Sequence, residues 1–246
     1  MMMRSLFFLA IFAFIFSTAS AQTVKVTGEL TKYKRTGVDV SDFKRDFEIN
    51  YPRFSGRPQN VLEKLKAATD YWEVFNMSLD DNLQEDDWLS NCDYAVKYNA
   101  KNVLSISLTC DGAAAYVSAM TKYLTFDLTT GNAVQVEDLF KPGTHADVAK
   151  AFIKVMKANE SKMDAEAKEY LDGERESYPD SKIAPDKMKL SNLDGFSLTD
   201  KGIIFIYEYN FANIAKAYEP DGEFFVTFAE LKPFIKPDGL LGAFIR

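Results

Sequence analysis

The chain's one histidine, His145, is where a search for catalytic chemistry must begin, since imidazole activates nucleophiles and ligates zinc. Zinc ordinarily takes three or four nitrogen, sulfur or oxygen ligands from the protein. His145 follows Thr144 at an expected helix start, so it reads as an exposed first-turn residue. No G-x-S-x-G and no glycine-rich phosphate loop accompanies it. Carboxylates are plentiful, 36 in all, and two at the right separation would serve a glycosidase, but spacing singles out no pair. The run Asp80, Asp81, Glu85, Asp86 and Asp87 offers oxygens of the kind calcium takes, without the glycine and closing glutamate of an EF-hand loop. It reads as a solvated acidic loop. For binding, the candidates are Tyr207, Tyr209, Phe211 and Tyr218, whose faces and hydroxyls suit sugars or a partner surface. Tyr207, Tyr209 and Phe211 also share one face of a strand, the pattern of a core stripe. No catalytic residue, metal site or cofactor is expected.

Cys92 and Cys110 are the only cysteines. Each ends a run of period-two alternation, Cys92 to Tyr98 and Leu104 to Cys110, the pattern of half-buried strands. Centring a hairpin on Lys101, with Asn99-Ala100-Lys101-Asn102 as its turn, sets Tyr98 opposite Leu104, Val96 opposite Ile106 and Tyr94 opposite Leu108. Cys92 then falls opposite Cys110, where Cβ atoms lie about 4.5–5.5 Å apart. The register predicts a structural disulfide. A redox or metal pair would want C-x-x-C or further ligands.

The remaining elements follow from periodicity and breakers. Strands are predicted over Thr23 to Leu30 and over Phe43 to Tyr51, ending at Pro52. Pro58 opens a helix from 58 to 76 with Val61, Leu65, Ala68, Trp72 and Phe75 on one face. A long strand runs from Ala115 to Leu128, followed by a turn at Thr129-Thr130-Gly131 and a short strand from Val134 to Val136. Thr144 to Asp147 resembles a capping box, opening a helix with Val148, Phe152, Val155 and Met156 on one side, and Glu160 to Tyr178 continues as a second helix. Phe196 to Thr199 and Ile203 to Tyr209 form a hairpin through Asp200-Lys201-Gly202. Phe224 to Phe228 is a strand, and Thr227 caps a short helix reaching Ile235. Clustered strands and helices, without regular alternation, indicate an α+β fold: a mixed, mainly antiparallel sheet with helices packed on one face and one disulfide.

At the N-terminus, Arg4, the apolar run Leu6 to Phe16 and the small residues Ala19 and Ala21 have the three parts of an export signal cleaved before Gln22. The expected organisation is a signal over 1–21, N-terminal strands over 22–50 and an α+β domain over 51–246. The apolar run is about half of what a membrane helix needs, so no span is expected after cleavage. Losing Arg4 leaves 28 basic against 36 acidic residues, a charge of −8, which excludes the basic footprint of a nucleic-acid partner.

Several segments resemble a known family. They are Tyr51-Pro52-Arg53-Phe54-Ser55-Gly56, the stretch Tyr123 to Gly131 followed by Glu137-Asp138-Leu139-Phe140, Phe196 to Ile203, and Tyr207-Glu208-Tyr209-Asn210-Phe211-Ala212. Their order is similar to the RsiV-type extracytoplasmic domain, shared by a lysozyme-responsive anti-sigma factor and the front of some peptidoglycan deacetylases. The resemblance covers roughly Tyr51 to Ile235 and is most specific from Phe126 to Phe140. It departs over Asn213 to Gly222, where the family is rich in alanine and glycine. It implies a periplasmic or secreted binding module of the cell envelope without catalytic residues, whose partner would be peptidoglycan or a cationic envelope protein such as lysozyme. A carboxylate-dependent hydrolase of envelope glycans and a structural or assembly factor are the alternatives.

Overall fold

The computed structural model describes residues 23–37, 40, 44–84, 89–113, 117–177, 188–211, 216 and 218–246. The expected export signal lies outside them, as do Glu85, Asp86 and Asp87 of the acidic run. The two alternating runs become β3 (Leu89–Ala100) and β4 (Val103–Ala113). Cys92 lies opposite Cys110, Tyr94 opposite Leu108 and Val96 opposite Ile106, as their alternation requires, and the disulfide is formed. Nearer the turn the register departs from expectation. A bulge between Val96 and Tyr98 sets Tyr98 opposite Ser105 and Asn99 opposite Leu104. The turn thereby contracts to Lys101-Asn102, with φ of 51° and 62°, a two-residue link whose twist matches the strands better than a four-residue loop. The bulge also rotates Tyr98 away from Ile106 and into the second core, where its hydroxyl donates to Asp200 Oδ1 at 3.2 Å.

β1 (Lys25–Lys34), β2 (Asp46–Ser55), β5 (Val117–Asp127) and the two-residue β6 (Asn132–Ala133) complete a six-stranded sheet ordered β1-β2-β3-β4-β5-β6. All neighbours are antiparallel except β2 and β3, which run parallel over two pairs, Glu48 with Asn91 and Ile49 with Cys92. β2 passes through Pro52 instead of ending there. It lies beyond the short pairing with β3, on a stretch with one ladder partner, where a missing N–H is tolerated. β2 also runs across position 50, so the N-terminal strands belong to the same sheet as the residues after them.

The expected single helix over 58–76 is two, α1 (Gln59–Ala68) and α2 (Tyr71–Val74), both named in chain order. Thr69 Oγ1 turns back to Leu65 O, and Asp70 accepts from Trp72 N, so local side-chain bonds end one helix and start the next. The acidic stretch is also partly helical, as α3 (Leu79–Gln84), rather than a loop. Leu65, Tyr71, Phe47, Ile49, Leu104, Ile106 and Phe126 fill the first core, between these helices and the large sheet.

A second core forms around a separate three-stranded antiparallel sheet, β7 (Gly195–Leu198), β8 (Gly202–Ile206) and β9 (Glu223–Thr227). Against it pack α4 (His145–Glu160), α5 (Ala165–Ser177) and the short α6 (Phe228–Leu231). Phe152 of α4 sits at its centre, with ring centroids of Phe205, Tyr207 and Phe224 between 5.2 and 6.2 Å away. The Thr227–Glu230 capping box opens α6 as expected. At α4 it does not form: Thr144 Oγ1 donates to Lys141 O at 2.8 Å instead of to the helix. The three-stranded sheet covers the end of the large one, so β4 is buried on both faces. Ser105 and Ser107, outward-facing by pattern, are interior; Ser105 Oγ bonds Thr125 Oγ1 and accepts from Leu198 N.

Candidate functional site

The four aromatic candidates do not converge. β8 ends at Ile206, and the chain continues without a ladder, with Tyr207, Tyr209 and Phe211 buried in the second core. Their rings meet edge to face, Tyr207 on Tyr209 at 5.0 Å and Tyr209 on Phe211 at 6.1 Å. Tyr209 donates its hydroxyl to Glu160 Oε1 at 2.8 Å, and the same oxygen takes Arg175 Nη2 at 2.7 Å. Burial, and then the Glu160 charge, hold the Tyr209 hydroxyl far above the usual tyrosine range. This network joins α4, α5 and the β8 extension. Tyr209→Phe is expected to cost about 1.5–3 kcal/mol, the worth of one hydrogen bond to a charged acceptor, read as a lower urea midpoint with unchanged slope. Tyr218 lies apart, stacked on Tyr170 at 4.6 Å with its hydroxyl donated to Glu166 at 2.7 Å.

His145 lines a cleft of about 660 Å³ with an apolar floor of Ala149, Ile153 and Leu190 and a rim carrying Lys150 and Lys157. Among the described residues no three His, Cys, Asp or Glu side chains gather as a metal site.

The concavity that sequence reading missed lies along β5. β6 pairs only with Phe126 and Asp127, and Val134 N donates to Thr125 O. Beyond that point β5 has no partner on this side among the described residues. In an antiparallel ladder, N–H and C=O of one residue point the same way and alternate between neighbours. Thr125 and Asp127 carbonyls face away from β4, so the backbone groups of Tyr123, Thr121 and Ala119 do too. Tyr123 O is closely approached by Gly195, where an added Cβ would stand 3.0 Å from that oxygen and 2.8 Å from Tyr123 Cβ. Two grooves, of about 490 and 500 Å³, follow the edge and share Lys122. One is walled by Glu137, Leu193 and Asp194, the other by Glu208, Asn210, Glu219 and Pro220.

The edge carries charges of both signs. Tyr123 Oη donates to Glu223 Oε1 at 3.3 Å, and Glu208 and Asp221 add their charges at the same hydroxyl. Lys122 and Lys216 share the second groove with Glu208 and Glu219, Lys216 pairs with Glu219, and Lys97 lies 5.8 Å over the Tyr123 ring. Burial first, then Glu223, push the Tyr123 hydroxyl up to about 12. Burial and Asp200 do the same for Tyr98. Both values lie above the ordinary 10 of an unfolded tyrosine, so the folded chain holds these protons longer. Stability is therefore full below pH 10 and falls as pH rises toward about 12. Phenolate absorbance should show a late class of tyrosines titrating there, and denaturant midpoints should drop over the same interval.

No family model matches the chain, and no curated protein is similar to it in sequence. Among solved structures it is similar to a DUF3298 family protein from Pseudomonas aeruginosa, at 14% identity and a TM-score of 0.64, over 88% of this chain and 96% of that one. It is also similar to a DUF3298 member from Bacteroides fragilis, at 14% identity and a TM-score of 0.61, over 92% of this chain and 98% of that one. At these identities the likeness concerns architecture, and the chain has the fold of these DUF3298 proteins.

Proposed function

We propose that the chain is an exported binding module of the cell envelope, of the RsiV-like kind, that recognises a cationic protein such as a muramidase, or cell-wall material, without chemistry of its own. The grooves beside β5, where charged side chains of both signs flank a strand edge, are the observation that carries this reading. Their concavity suits recognition, and the net acidic charge of the chain favours encounter with a cationic partner. A buried disulfide supports work in an oxidising compartment, where such bridges persist. The motif order from Tyr51 to Ile235 supports the envelope setting. The test is retention of the purified protein on immobilised lysozyme and on insoluble peptidoglycan. Retention on lysozyme at low salt, released at high salt, is the expected result. No retention on either support at any ionic strength would remove the reading.

A further inference from the structure

The geometry points to the cleft along α4 as a binding site for a free single-chain carboxylate, a fatty-acid-like anion with its tail on the apolar floor and its head among the lysines of the rim. The described wall comes from α4, from the 3-10 helix Val136–Leu139 and from the segment Met188 to Ser191. Ala146 and Ala149 put only methyl groups on this face of α4, which leaves room between the helix and that segment. The space, about 660 Å³, falls within the range of about 300–1,000 Å³ that small-molecule pockets occupy. Ala149, Met188 and Leu190 of the floor are themselves buried in the second core, so the floor is fixed in place.

Charge chooses the head. The whole chain has 36 acidic against 29 basic residues, yet the described wall carries Lys150, Lys157 and Lys189 against one carboxylate, Glu137. Lys150 is engaged by Asp147 at 2.9 Å. Lys157 and Lys189 are exposed and meet no carboxylate among the described residues. Lysine lays its stem along apolar surface and keeps its ammonium in water, so such a rim lengthens the floor and places cations at the mouth. α4 also begins here: Thr144 leaves its first turn uncapped, and His145 and Ala146 bring that partially positive end to the wall. A lipid still seated in a bilayer fits less well. The exposed large apolar side chains, Leu30, Val96, Met120, Tyr170 and Phe225, all lie off the described wall, so the mouth has no anchor to enter a membrane and the ligand must arrive from solution. Glu137, Leu190 and Ser191 are shared with the first groove beside β5, but the site needs no protein partner there.

Dodecanoate, held below its micelle concentration, is the probe, with dodecyltrimethylammonium as cationic counterpart and phosphatidylglycerol vesicles as the membrane source. Dodecanoate should shift the methyl resonances of Ile153 and Met188 in the purified protein, saturate at one equivalent and leave Met120 unmoved. The cation should bind about tenfold more weakly or not at all. Decanoate should bind about tenfold more weakly than dodecanoate, since each buried methylene is worth roughly fourfold. The protein should stay behind when the vesicles float. Lys157→Glu with Lys189→Glu, at two exposed positions, should keep the parent's thermal midpoint and weaken dodecanoate by about tenfold or more at low salt. Ala149→Phe fills the floor and should abolish binding; should it unfold, Ala146→Phe, at an exposed position on the same wall, serves instead. Equal binding of the two head groups, affinity indifferent to tail length, flotation with the vesicles, or binding untouched by the substitutions would each overturn the proposal.

Discussion

Replacing Arg35 by alanine is expected to destabilise the fold by about 3–5 kcal/mol, because it strands several buried carbonyls at once. Arg35 follows β1 and is 1% exposed. Its Nε donates to Asn82 O at 2.9 Å, Nη2 to Leu89 O at 2.7 Å, and Nη1 to Lys44 O, while the guanidinium lies 4.7 Å from the Phe47 ring centre. One side chain thus ties the end of β1 to α3, to the first residue of β3 and to the chain entering β2. Each carbonyl left without a charged donor costs about 1–3 kcal/mol, partly relieved where water enters the space. Arg35→Lys should recover less than half, since one ammonium cannot serve three acceptors in a planar fork. Urea unfolding of the three proteins side by side reads the difference as a shift of midpoint at constant slope. An alanine variant within about 0.5 kcal/mol of the parent, the scatter of ordinary surface substitutions, would show that these bonds contribute nothing net.

Nothing around Arg35 in Tyr33-Lys34-Arg35-Thr36 marks it in the sequence, and the reason is physical. Its partners are backbone carbonyls up to 54 positions away, and a carbonyl leaves no trace in residue type. The disulfide hairpin was legible because period-two alternation fixes a register and two cysteines test it within the same short segment. The bulge beside Lys97 escaped that reasoning, since a one-residue slip near a turn changes neither composition nor pattern. Ser105 and Ser107 misled for the opposite reason: alternation identifies two faces, but whether the polar one meets water depends on β7, nearly a hundred residues later. The aromatic stripe Tyr207, Tyr209 and Phe211 was readable as core or as ligand surface, and burial by α4 decided for core. As for the β5 edge, a strand's length shows in sequence, but the shortness of its neighbour does not. Val134 to Val136 had the look of a returning strand, whereas the ladder stops at Asn132 and Ala133 and the chain turns into a 3-10 helix from Val136 to Leu139. After that early departure no described residue pairs with the outward side of β5 at Ala119 and Thr121.

Removing both sulfurs, as Cys92→Ala with Cys110→Ala, is expected to cost about 3 kcal/mol by loop closure over this short span. The thermal midpoint should fall by about 6–12 °C for a chain of this size. The location makes the loss uneven. Ile49, Cys92, Cys110 and Met120 stand in one row across β2, β3, β4 and β5. Among the described residues β2 and β3 pair at two positions, one of them Cys92 itself, so the bridge braces β3 where this short parallel joint depends on it. Arg35 reinforces that joint by holding Leu89 and the start of β2. The double variant should therefore lose hydrogen-exchange protection first in β1 and β2, with the β4–β5 ladder still protected. Both sulfurs are fully buried, so in the parent a reductant should act no faster than the joint opens. A double variant that melts with the parent, or one that loosens every strand equally, would show that the bridge does not brace this joint.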